Sequence, residues 1–173
     1  MMRQITFVLA LVISLSAAVA AQTASPKVKQ STNQTGNSYG YIFAAPGGNS
    51  EGGDGALHIG GGGEGVFKNG AGIGAELAYL TPFQSFGDGI GTFSINGSYH
   101  FLNSSKSGKV VPFVTGGYTG FFRGGYSNGV NFGAGVNYWF KPRIGMRLEF
   151  RDNVFLQDNA SHFLNVRFGL TFR

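Results

Sequence analysis

The chain has 173 residues, a formal net charge of +5, only 12% charged residues and no cysteine. Soluble domains carry roughly 25% charged residues, so this chain has too few to cover a water-exposed surface. The missing cysteines exclude disulfide-stapled scaffolds, zinc-thiolate sites and cysteine nucleophiles, and the dispersed basic residues form no stripe for nucleic acid.

Met1-Met2-Arg3-Gln4 is a short basic start, and Ile5 to Ala20 is an apolar run ending in small residues. This is the pattern of a cleavable signal peptide over residues 1–21, with Ala18-Val19-Ala20 or Val19-Ala20-Ala21 as the cleavage motif. The run is shorter than the roughly 20 residues of a spanning helix. Residues 22–37 are polar and without periodicity, which reads as a flexible leader on the periplasmic side.

From Ser38 the texture changes to period-two segments punctuated by Gly, Asn, Asp, Ser and Pro. Eight such segments are expected, over 38–45, 55–67, 71–80, 89–102, 109–121, 129–140, 143–151 and 162–172, with no helix after the signal. An even number of strands of about ten residues fits an all-β, eight-stranded antiparallel up-and-down transmembrane β-barrel over 38–173. Connection lengths are expected to alternate. Lys68-Asn69-Gly70 and Lys141-Pro142 are the short inner turns, with Asn103 to Gly108 of medium size; Pro46 to Asp54, Thr81 to Asp88, Phe122 to Asn128 and Asp152 to Ser161 are the longer outer loops.

The faces of these segments separate cleanly. In the seventh, Ile144, Met146, Leu148 and Phe150 oppose Arg143, Gly145, Arg147, Glu149 and Arg151; in the eighth, Leu164, Val166, Phe168 and Leu170 oppose Asn165, Arg167 and Thr171. The fourth sets Phe93, Ile95, Tyr99 and Phe101 against Ser94, Asn96, Ser98 and His100, and the third and sixth repeat the pattern. The fifth, with Val110-Val111-Pro112-Phe113-Val114, is apolar on both faces and its register stays open. A soluble sandwich would turn the oily faces into a core, whereas a membrane barrel turns them to lipid and the charges to its lumen.

Glu64, Glu76, Glu149, Arg147 and Arg167, with the polar His58 and His100, fall on the polar faces far from either rim. An eight-stranded lumen is only wide enough for side chains to fill it, so these groups are expected to pair as a plug of ion pairs, Arg167 with Glu149, Glu64 or Glu76. Glycine runs such as Gly60 to Gly63 leave room for such side chains to cross. The aromatics near segment ends, Tyr39, Tyr41, Tyr79, Tyr99, Phe101, Tyr138, Phe140 and Phe172, are expected at the two membrane interfaces. Phe83, Phe86, Phe122, Tyr126 and Phe155 are the outer-loop aromatics that could meet a partner.

Val111-Pro112-Phe113-Val114-Thr115-Gly116-Gly117, Gly145-Met146-Arg147-Leu148-Glu149-Phe150-Arg151-Asp152 and the closing Phe168-Gly169-Leu170-Thr171-Phe172 resemble the small outer-membrane β-barrel superfamily of OmpA transmembrane domains, OmpX and OmpW-like proteins. The resemblance covers residues from about 38 to 173. It implies a bacterial outer-membrane location, a monomer among outer-membrane lipids, a last strand read by the barrel-assembly machinery, and no cofactor. The motifs speak for the fold and not for a function; the role expected first is non-enzymatic, structural or in surface interaction through the outer loops. The alternatives are a narrow pore or transporter of small hydrophobic compounds, and a lipid A-modifying enzyme.

For the enzyme, Ser161, His162, Asp152 and Asp158 supply the ingredients of nucleophilic hydrolysis. Neighbours on a strand point to opposite faces, however, which works against a Ser161–His162 hydrogen bond. His58 and His100 beside Glu64 or Glu76 lack metal-ligand spacing, so no metal is expected. Gly60 to Gly65 precedes no helix, and Lys106-Ser107-Gly108-Lys109 has Asn103 where a phosphate loop needs glycine.

Overall fold

Alternating side chains commit the chain to strands, and the strands close on themselves. A computed structural model describes residues 37–50, 52, 55–104, 107–156 and 161–173; the signal peptide and the leader up to residue 36 lie outside the described residues. The elements are β1 (Asn37–Asn49), β2 (Ala56–Val66), β3 (Ala71–Pro82), β4 (Ile90–His100), β5 (Val110–Phe122), β6 (Tyr126–Lys141), β7 (Ile144–Phe155) and β8 (Ser161–Phe172), with a 3-10 turn at Phe86–Asp88 before β4. Every strand pairs antiparallel with its sequence neighbours, and β1 pairs with β8, giving a closed up-and-down barrel with no free edge.

Strands of 11 to 16 residues match or exceed the roughly 9–11 that cross a hydrocarbon layer, so the ends of the longer ones stand clear of the apolar band. One rim, the terminal rim, carries the start of β1, the turns 67–70 and 142–143, residues 101–104 and 107–109, and Arg173. The distal rim carries the connections 83–89 and 123–125, the end of β1, the start of β2, the end of β7 and the start of β8.

The structure corrects several boundaries. Pro46 does not end β1: it pairs with Leu57 and faces outward without needing an N–H, and the strand continues to Asn49 opposite Phe163. β5 and β6 pair out to Phe122 and Tyr126, leaving only Arg123–Gly125 as loop, and β7 and β8 pair out to Phe155 and Ser161. The expected alternation of loop lengths therefore fails, since 101–109 is longer than 123–125. In the 67–70 turn, Gly70 sits at φ +89° and its N–H donates to Phe67 O at 2.9 Å, a conformation that favours glycine.

The open register of β5 is resolved. Val111, Phe113, Thr115, Thr119 and Phe121 are buried, while Val110, Val114, Tyr118 and Phe122 face outward. Around the whole wall the exposed residues include Ile42, Ile73, Ile95, Phe132, Met146 and Phe168, a continuous apolar band. Such a surface far exceeds the patches monomeric soluble proteins expose and belongs in a bilayer.

Candidate functional site

The lumen holds the chain's unusual chemistry. Glu64, Glu76, Glu149, Arg147, Arg151 and Arg167 are all buried inside the barrel. β7 alone projects Arg147, Glu149 and Arg151 inward from alternate positions. Glu149 accepts from Arg147 Nε at 2.9 Å and from Arg151 Nε at 2.5 Å, so one strand carries a cation-anion-cation stack.

Glu76, on β3, is the centre. Its Oε1 accepts from Arg151 Nη1 at 2.7 Å and from Tyr41 Oη and Asn96 Nδ2, each at 3.0 Å. Its Oε2 accepts from Arg167 Nη1 at 2.7 Å. Arg167 and Glu149 are cross-strand partners in register, yet the guanidinium reaches across the lumen to Glu76.

Towards the terminal rim, Glu64 Oε2 accepts from Tyr39 Oη at 2.5 Å and from Arg147 Nη1 at 3.3 Å. Its Oε1 pairs with His100 Nε2 at 2.8 Å and accepts from Ser98. Towards the distal rim, Arg167 Nη2 lies 3.3 Å from His58 Nδ1. A guanidinium only donates, so Nδ1 is the acceptor and Nε2 carries the proton it gives to Thr92 Oγ1 at 3.0 Å. Ser94, Thr119, Asn131 and Asn96 continue the polar chain.

Aromatic faces support the guanidiniums. Arg147 Cζ stands 3.9 Å from the Phe113 ring centre and Arg167 Cζ 4.2 Å from that of Phe43. Close packing also needs glycine: a Cβ on Gly62 would stand 2.9 Å from Glu76 Cγ and 3.0 Å from Tyr41 Oη. Apolar residues lie beyond the charged middle at each end. Trp139, Val66 and Val111 are buried near the terminal rim, and Phe121 stacks on Phe155 at 4.2 Å near the distal rim.

Two placements differ from the sequence expectation. Tyr39 and Tyr41 are not interface aromatics; both point inward, where their hydroxyls complete the shells of Glu64 and Glu76. Of the five outer-loop aromatics, Phe83 and Phe86 lie on the 83–89 connection and are exposed, but Phe122 and Tyr126 lie on strands and Phe155 turns inward onto Phe121. The longer β5–β6 and β7–β8 hairpins cause this.

The sequence also left Arg151 out of the ion-pair set. Its parity with Arg147 and Glu149 was the available signal, because three carboxylates against two guanidiniums leave one charge over. Arg151 makes the buried set three against three.

At the distal rim, His162 Nδ1 pairs with Asp152 Oδ2 at 2.8 Å on the outward face, while Ser161 Oγ donates to Asn49 Oδ1 at 2.9 Å on the other. Ser161 and His162 are not brought together, and Asp158 lies outside the described residues. Among the described residues no group of three His, Cys, Asp or Glu could hold a metal ion. Arg123 Nη2 donates to Asp88 Oδ1 at 2.7 Å and also meets the Asp88 carbonyl, joining two distal connections. Hydrogen bonding by Ser85 and then Arg123 holds the exposed Asp88 carboxyl below its ordinary range.

A closed eight-stranded barrel with an apolar outside and a charged inside defines a class, the small bilayer-spanning β-barrels, and this chain has the fold of the outer-membrane members. It is similar to the crystal structure of Neisserial surface protein A, with a TM-score of 0.58 at 14% identity, covering 80% of this chain and 99% of that one. It is similar also to the N-terminal β-barrel domain of Pseudomonas aeruginosa OprF, with a TM-score of 0.55 at 15% identity, covering 80% and 100%. A de novo designed transmembrane β-barrel scores 0.55 at 14% identity, covering 80% and 97%. No family model and no curated protein matches the sequence.

Proposed function

We propose that the chain is an integral outer-membrane barrel that conducts nothing and catalyses nothing, and that acts as a structural and surface-contact element through its distal rim. The observation that carries this reading is the Glu76 cluster. Two guanidiniums, a phenol and an amide converge on one carboxylate in the middle of the lumen. A hydrated pore lined with charges leaves its side chains free to exchange with water; here each of the six buried charged side chains bonds another, Arg151 through Nε and Nη1 with its Nη2 left unpaired.

The closed lumen leaves the rims as the places where the molecule meets anything else. The distal rim faces the cell exterior in this reading, and the terminal rim faces the periplasm. Against an enzyme stands the separation of Ser161 from His162, which leaves the His162–Asp152 pair without that nucleophile.

Fractionation of cells expressing the chain, with protease added to intact cells, tests location and orientation together. The expected result is recovery in the outer-membrane fraction and cleavage confined to the distal connections. Recovery in the soluble periplasm, or cleavage only in the turns of the terminal rim after lysis, would overturn the reading.

A further inference from the structure

Outside the lumen, the charges of the described residues are segregated between the barrel's two ends. Lys68, Lys109, Lys141, Arg143 and Arg173 are all exposed on the terminal rim, and no acidic residue shares that rim among the described residues. Asp88 and Asp152 sit towards the distal rim. Arg123 is the sole described exception, and Asp88 neutralises it.

The terminal-rim cations are tied to the barrel's backbone rather than carried on a tail. Arg173 N–H donates to Arg143 O at 3.0 Å, and Trp139 N–H donates to Lys109 O at 2.8 Å. The Arg173 guanidinium lies 3.7 Å from the ring centre of the buried Trp139, over the mouth of the lumen, which leaves Lys68, Lys109, Lys141 and Arg143 as the outer ring. Immediately towards the barrel's middle, Phe67, Tyr99, Phe101, Tyr138, Phe140 and Phe172 form an outward aromatic collar. Such a collar marks the depth at which hydrocarbon gives way to headgroups.

We propose that the terminal rim binds anionic glycerophospholipid, the basic ring of Lys68, Lys141, Arg143 and their neighbours holding headgroup phosphates around the barrel. It rests on the membrane reading above. The collar fixes the occupant: cations just beyond it lie in the headgroup layer, whereas a soluble polyanion would need them on a surface projecting into water. An anionic surface gives each such cation about a fivefold gain in association.

The test uses the full chain folded into phosphatidylcholine vesicles containing trace spin-labelled phosphatidylglycerol or spin-labelled phosphatidylcholine. The motionally restricted fraction of each label reports its association with the barrel. The wild type is expected to prefer phosphatidylglycerol several-fold, with the preference falling as salt is added. In K68Q/K141Q/R143Q the ratio should approach one, while R123Q at the opposite rim should keep the wild-type ratio.

Heat-shifted migration on a gel identifies the folded barrel in every sample. A folded wild type without preference overturns the lipid site, as does an equal loss in R123Q. A chain that never folds into the vesicles overturns the membrane reading instead.

Discussion

Replacing Glu76 by glutamine changes one charge at the centre of the lumen and almost no volume. The carboxylate accepts from Arg151, Arg167, Tyr41 and Asn96. The amide keeps one acceptor and turns an NH2 towards a donor. At a charge separation of about 4 Å and an effective dielectric constant of about 20, each guanidinium pair is worth about 4 kcal/mol gross. The burial cost of the ions, several kcal/mol each, cancels much of this in the intact cluster but remains when only one partner is removed, so a net loss of about 3–5 kcal/mol is expected.

Urea unfolding of the barrel in lipid vesicles measures this loss, read by the emission of Trp139, the single tryptophan, and by heat-shifted migration. Adding Arg167→Met to Glu76→Gln removes the surplus cation and should recover at least about 1 kcal/mol, a coupling of the size expected for residues in one network. A Glu76→Gln variant within about 0.5 kcal/mol of wild type, the range of an ordinary surface change, would refute the argument that the cluster is a mutually dependent unit.

Tyr41→Phe removes one hydrogen bond to a buried charge and should cost about 1.5–3 kcal/mol in the same unfolding assay. Gly62→Val drives branched carbon against the Ala75 carbonyl, 2.5 Å from where a Cβ would stand, as well as Glu76 and Tyr41, and should cost about 3 kcal/mol or more, with slower folding into vesicles. Phe150→Arg, on the outward face of β7, should cost about 2–4 kcal/mol in a bilayer; a neutral result would mean that this face meets water. The Asp88–Arg123 bridge should open on acidification. Its folded carboxyl titrates below the ordinary value, so its contribution is present above about pH 4 and lost as pH falls through the lower folded value. Distance measurements between spin labels on the 83–89 and 123–125 connections should widen in acid, and Asp88→Asn should be wide at every pH.

The fold was legible because the wall of a barrel repeats one rule along every strand. Phe150 and Arg151, or Phe168 and Arg167, declare opposite environments by adjacency alone, and the structure places them so. Where both faces were apolar, as at Val110 to Val114, the sequence carried no parity signal; the register of β5 against β4 and β6 supplies it. Tyr39 and Tyr41 were misread because a tyrosine near a strand end suits an interface and a buried carboxylate equally well, its ring being apolar and its hydroxyl a donor. The identity of each ion pair was beyond the sequence. Arg167 prefers Glu76 across the lumen to Glu149 beside it, because Glu149 already bonds Arg147 and Arg151 from its own strand.

Planar-bilayer recording of the folded barrel tests the closed lumen most directly. The wild type, inserted and verified by heat-shifted migration, is expected to give no stable conductance, and a variant with alanine at Glu76, Arg151 and Arg167 to give discrete ohmic steps. Stable steps from the wild type would contradict the account.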